Sequence, residues 1–292
     1  MKDNGKMSRD NFVEHLTDAW ENTEFKHFYP VPNKGKSATW IKVMRLNNNQ
    51  FRVNCLKKAF EGYFWDRKNF MENDAKLKEL SEKLIDSLSG NDHLTANKVC
   101  KSIFKWGGVE RRRTKTTQWL ECQIEKGKLT NSLQDMVKLI QRNEDFSLFE
   151  SGPYIMNSSV TKVISLASES DHDQLIIYDG RVGAALADFV VRFEKKYDYS
   201  TGVEDELLFM WGQTQGKRTV NGKNPRDPRS DNLNFKNMFI NSKYRNANHA
   251  RNMALASDIC RAVAHNLKIS PRKLEAALFM WGYDVRSYRQ SG

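Results

Sequence analysis

Apolar positions recur at three- and four-residue spacing along most of the chain. In 74–90, Leu77, Leu80, Leu84, Ile85 and Leu88 form one such stripe, and Gly90 closes it. The segment 94–108 repeats the scheme with Val99, Ile103 and Phe104 ahead of Gly107 and Gly108. Leu133, Met136, Val137 and Ile140 carry it through 129–143, and further stripes run over 249–267 and 270–282. The last has Ser270 at the N-cap and Pro271 at the first helical position, where a missing backbone amide does no harm. A looser alternation is confined to 39–46 and 50–56, either side of three asparagines, and predicts a small N-terminal β-hairpin. The pattern as a whole predicts a mostly α-helical protein.

One apolar run ends differently. Leu175, Ile176, Ile177 and Tyr178 lead straight into Asp179, and a helical stripe then begins: Val182, Ala185, Leu186, Phe189, Val190 and Phe193 share one face. Asp179 is thereby placed as the N-cap of a helix running to Lys196. Backbone N–H groups and the helix dipole favour an ionised carboxylate there. Upstream, 158–170 reads as a hairpin and a helix carrying Lys162, and 171–174 as a turn. So a helix bearing a lysine is followed, 17 residues later, by an aspartate at the start of the next helix. The string Leu-Phe-Met-Trp-Gly occurs at 208–212 and again at 278–282. Its flanks do not match, so it reads as two buried helix ends rather than a duplication.

Charge changes the picture. The 292 residues carry 47 Lys and Arg against 36 Asp and Glu, a formal +11, which points to a polyanionic partner, nucleic acid first. The cations cluster. Arg111, Arg112, Arg113 and Lys115 form one patch, and 212–251 holds nine Lys and Arg against Asp227 and Asp231. Its first half, with Lys217, Arg218, Arg226 and Arg229, reads as a long irregular loop. Its second half interleaves Phe235, Phe239 and Tyr244 with Lys236, Lys243 and Arg245, a mixture that suits phosphates and unstacked bases together. No run reaches the roughly 18 to 20 apolar residues of a membrane span, and nothing at the N-terminus resembles a secretory signal. Cys55, Cys100, Cys122 and Cys260 make no metal or disulfide spacing, and read as reduced thiols of a cytoplasmic protein. His172 is the histidine nearest Asp179 in sequence and reads as a surface loop residue.

The segment 161–182, Thr-Lys-Val through Asp-Gly-Arg-Val, resembles the helix-hairpin-helix DNA glycosylase superfamily, and most of all its 8-oxoguanine-glycosylase-like branch. The resemblance is specific over about 35 residues. It implies a two-lobed, mostly α-helical fold in a single domain, with 61–175 as one lobe and 1–60 plus 176–292 as the other. It gives Asp179 the place of the essential aspartate and Lys162 that of the Schiff-base lysine of bifunctional members. It implies a monomer on double-stranded DNA, with no cofactor and no metal in catalysis. Where the family's hairpin carries Gly-x-Gly, this chain has Asn157 to Val160 without glycine, and where x-His-Val commonly follows the aspartate it has Gly-Arg-Val, leaving Arg181 as a phosphate contact. The drifted hairpin favours a monofunctional enzyme. Relatives of this type include phage-defence glycosylases that excise bulky modified cytosine, and the expected substrate is a modified base.

The chemistry fits the residues. Breaking an N-glycosidic bond builds positive charge on the sugar, and a nearby carboxylate stabilises that state and orients water. Two other classes remain open on the residues alone. One is a basic helical DNA-binding protein without catalysis, in which Asp179 only caps. The other is a metal-dependent nuclease, which needs Asp171, Asp173 and Asp179 to converge.

Overall fold

The helical stripes fold as helices. In a computed structural model that describes residues 5–110, 114–143, 145–169, 173–199, 201–214, 224–230, 232–240 and 242–286, the protein is mostly helical with a small two-stranded antiparallel sheet. In chain order the elements are α1 (Arg9–Asp18), β1 (His27–Pro30), α2 (Lys36–Met44), β2 (Gln50–Val53), α3 (Leu56–Glu61), α4 (Phe70–Ser89), α5 (His93–Trp106), α6 (Lys115–Glu125), α7 (Leu129–Arg142), α8 (Ser147–Glu150), α9 (Val160–Ala167), α10 (Gly180–Tyr197), α11 (Arg245–Leu267) and α12 (Pro271–Trp281). They divide between two compact units, one of Met1–Phe70, Gly180–Ile240 and Ile259–Gly292, the other of Met71–Asp179 and Asn241–Asp258. Among the described residues no helix is long and apolar enough to cross a membrane. The four cysteines are free, three of them buried.

The small sheet corrects one expectation. Residues 39–46 do not form a strand. Lys36–Met44 is helical, buries Trp40 alone, and stops at Arg45 in the left-handed conformation. The partner of β2 lies upstream instead: His27–Pro30 pairs with it so that Tyr29 faces Phe51, their rings stacked at 5.0 Å. That cross-strand aromatic pair, with Trp40 packed 5.3 Å from Phe51, supplies the burial that 39–46 could not offer as a strand.

In the first unit α10 is buried almost all round, not on one face. Asp188 and Arg192 are as inaccessible as Phe189 and Phe193. The two charges offset each other: Arg192 Nε donates to Asp188 Oδ2 at 2.7 Å, Trp281 Nε1 donates to the same oxygen at 3.0 Å, and Arg192 Nη1 reaches the Lys26 carbonyl. His27 stacks on Trp281 at 4.3 Å and donates from Nε2 to its carbonyl oxygen. Burial first, and Arg192 second, push the pKa of His27 down to about 3, so the ring stays neutral.

The repeated pentapeptide is a second correction. Residues 278–282 end α12 as expected, but 208–212 are extended, with Trp211 bridging Asn237 in parallel. What the two copies share is the final glycine. Gly212 lies against Gly180, where a Cβ would come within 2.6 Å of the Gly180 Cα, and Gly282 lies against Arg181, where a Cβ would sit 1.9 Å from the carbonyl oxygen. Gly282 has φ −77°, so close approach and not a left-handed backbone demands glycine there. The first turn of α10 is held by backbone contact on both sides.

In the second unit α4, α5, α7 and α9 bury their predicted stripes, and Val160–Leu166 is buried on every side. Side chains tie the helices where they cross: Trp106 Nε1 donates to Asn73 Oδ1 at 2.8 Å and Ser81 Oγ to the Leu166 carbonyl at 2.7 Å. Gly282→Ala should destabilise the protein by at least about 2 kcal/mol, because the obstructing atom is backbone and has nowhere to go. Urea unfolding followed by circular dichroism checks it; an unchanged midpoint would mean that α10 and α12 can part without loss.

Candidate functional site around Asp179 and Lys162

Residues 175–178 are extended and buried, with no strand beside them, so their backbone groups need side-chain partners. Helices α9 and α11 provide them. Ser165 Oγ donates to the Leu175 carbonyl at 2.8 Å, and Ser168 Oγ accepts from the Leu175 amide at 3.0 Å. Ser257 Oγ accepts from the Ile176 amide at 3.0 Å. His249 Nε2 donates to the Tyr178 carbonyl at 3.0 Å, while the Tyr178 hydroxyl donates to Asn252 Oδ1. Five side chains thus fix four residues. Asp179 follows directly, half-buried, with α10 beginning at the next residue as the stripe predicts.

Lys162 is buried on α9 with only 5 % of its surface accessible. Its Nζ turns back to the Ser158 carbonyl, 2.6 Å away. The aliphatic stem lies over Gly107 at the end of α5, where a Cβ would come within 2.7 Å of Lys162 Cδ. Gly107 has φ −71°, so it too is a glycine of close approach. The turn before α9 explains how a hairpin without glycine holds: Asn157 Oδ1 accepts from the amides of Ser159 at 2.9 Å and Val160 at 3.2 Å. Asn157 Nδ2 is anchored to Thr116 Oγ1. Amides that a glycine hairpin turns outward are used internally here.

His249 is the member that sequence reasoning missed. His172, the histidine nearest in sequence, lies outside the described residues. His249 is buried, edge-on to Tyr178 at 5.6 Å between ring centroids. A carbonyl only accepts, so its proton sits on Nε2 and the ring is neutral. Burial is the main force lowering its pKa, to about 4; the bond to Tyr178 opposes this, the charges of Arg245 and Lys162 add to it, and the charge of Asp179 opposes it. One buried ring therefore lies within the fields of both Lys162 and Asp179. The constellation offers a fixed carboxylate, a buried amine bound to a carbonyl, and a neutral imidazole.

The basic residues are placed unevenly. Arg111, Arg112, Arg113, Lys217 and Arg218 lie outside the described residues, as does Asp171. Lys115 opens α6 exposed. Lys243 is exposed, with Nζ 4.7 Å from the Tyr244 ring, and Arg245 opens α11 half-exposed. In the first unit Arg226 donates to the Gly212 carbonyl and Arg229 pairs with Asp227 at 2.9 Å, so both brace their own loop. Arg181 stacks over aromatic rings. Phe235 is partly buried against Ala184, Trp211 and Val285, whereas Phe239 and Tyr244 are exposed. Among the described residues no three His, Cys, Asp or Glu side chains gather as a metal-ligand set. Comparison with known protein families, characterised proteins and solved structures finds no match for this chain.

A neutral, buried His249 has a consequence for acid stability. Its native pKa of about 4 lies below the ordinary 6.5, so between these values the unfolded chain takes up a proton that the native ring refuses. The stability it contributes is complete above pH 6.5 and is lost as pH falls toward 4, about 3 kcal/mol in all. His249→Gln, which keeps a donor for Tyr178, should flatten urea-unfolding free energy over that window. An equal slope in wild type and variant would mean that the ring is protonated in the folded protein.

Proposed function

We propose that the protein is a DNA glycosylase of the helix-hairpin-helix kind, with Asp179 as the carboxylate that stabilises the oxocarbenium-like state and orients water. The observation that carries this reading is the fixing of 175–178 by side chains from α9 and α11, because it immobilises the one residue that follows, Asp179. A carboxylate needed only as a cap does not require such a mount. Electrostatic catalysis does, since a preorganised charge loses nothing to reorientation when positive charge develops. The net charge of +11 supports a nucleic-acid substrate, from which the target base is extruded before cleavage.

The reading for Lys162 is a monofunctional enzyme. A Schiff base needs a neutral amine at the sugar C1′, and small displacements there cost orders of magnitude in rate. Here Nζ is engaged by the Ser158 carbonyl and the stem is seated over Gly107. Lys162 then supplies positive charge beside His249 and steadies the turn before α9. A modified base is the proposed target.

Asp179→Asn tests the mechanism. Asparagine caps helices about as well as aspartate, so folding should hold within about 1 kcal/mol, while excision from duplexes carrying modified cytosine or oxidised guanine should fall at least a hundredfold. A folded Asp179→Asn protein that excises at the wild-type rate leaves the carboxylate as a cap and favours a non-catalytic DNA-binding protein. Borohydride added during turnover should trap no covalent complex, and Lys162→Gln should keep measurable excision. A trapped complex that vanishes only in Lys162→Gln would make the lysine the nucleophile.

A further inference from the structure

At the start of α10 the Arg181 guanidinium lies over three rings at once, 4.2 Å from the centroid of Phe279, 4.8 Å from Tyr283 and 5.5 Å from Trp65. Trp65 meets Phe279 edge-on at 5.4 Å and 90°. All four side chains are half-exposed, whereas Tyr29, Trp40 and Phe51 behind them are buried. The core is complete without the outer rings, and their faces and edges are left to solvent.

The turn that carries Trp65 is strained. The Trp65 amide bonds the Lys68 carbonyl and the Lys68 amide bonds the Trp65 carbonyl, both at 3.0 Å, so only Asp66 and Arg67 make the reversal. Both have positive φ, 48° and 66°, positions that such a turn usually gives to asparagine and glycine. Asp66 is engaged by Lys36, and Arg67 is left at the tip, exposed. Backbone strain of this kind gathers at ligand clamps, and here it holds a guanidinium one residue beyond an exposed indole and its aromatic neighbours.

The surface selects among ligands. A methylated ammonium or other cation would meet the positive charge of Arg181 already seated on the rings. A duplex hides its base faces in the stack and presents only phosphate. A single strand offers both, flat bases for the rings and phosphates for Arg67, Lys68 and Arg181. We propose that Trp65, Arg67, Arg181, Phe279 and Tyr283 form a stacking platform for unpaired nucleobases and give the protein an affinity for single-stranded over duplex nucleic acid. The platform stands on the geometry of its own unit and does not rest on the chemistry of Asp179.

The experiment is a fluorescence-anisotropy titration of the full chain with a labelled oligothymidylate and with a duplex of equal length. The single strand should bind more tightly. Trp65→Ala should weaken it about tenfold, the size of one lost base–aromatic stack, and leave the duplex within about twofold; Trp65→Phe should restore most of the loss. Arg67→Gly gives an independent reading. Glycine relieves the left-handed strain, so the variant should unfold at higher urea than wild type, yet lose single-strand affinity and flatten its salt dependence by about 0.7 in log–log slope. Unchanged single-strand affinity in Trp65→Ala, or an unchanged salt slope in a stabilised Arg67→Gly, would overturn the platform. Equal loss for duplex and single strand would reduce it to general basic attraction. Binding is the only readout, so a failure to excise bases leaves this test untouched.

Discussion

A buried extended backbone must find hydrogen bonds, and Leu175–Tyr178 have no neighbouring strand to give them. The second unit meets this demand with side chains: two serines of α9 on one side, and a serine and a histidine of α11 on the other. Each buried group left without a partner costs about 1–3 kcal/mol, so several together would consume much of a stability that is typically 5–15 kcal/mol. The polar residues of these two otherwise apolar helices are therefore as necessary to folding as the leucines. They also make the segment rigid in a way that apolar packing alone does not, because hydrogen bonds fix direction as well as distance. Asp179 inherits that rigidity as the next residue in the chain.

The first unit solves a related problem around α10. A helix buried on all sides cannot carry an unmatched charge, so Asp188 and Arg192 neutralise each other, and Trp281 and the Lys26 carbonyl complete their bonding. Such pairs add little net stability but penalise any other arrangement, since shifting one partner strands the other. Neutral His27, stacked on Trp281, belongs to the same set.

Much of this was legible in the chain. Helical stripes marked α4, α5, α7, α11 and α12 within a few residues, and the break at Asp179 marked the start of α10 directly. What escaped had no local signal. The pairing of β2 with β1 depends on Tyr29 meeting Phe51, a match set by packing, and residues 39–46 alternate just well enough to imitate the missing strand. His249 lies 70 residues beyond Asp179 on a helix whose polar positions read as surface until their targets are known. The ring cluster under Arg181 draws on three separated segments, and its turn uses Asp-Arg where composition gives no warning of positive φ.

The glycines at 180, 212 and 282 divide the neighbourhood into what can vary and what cannot. Where chain segments touch atom to atom, substitution is closed and the frame is passed on unchanged. Residue 181 is open by contrast, since its own side chain points away from the contact that its carbonyl makes. A surface built this way can exchange one guanidinium for an amide, a ring or a carboxylate without moving the helix beneath it. Descendants of this chain could therefore explore new ligands at that position through single substitutions, each tried on a scaffold that stays folded.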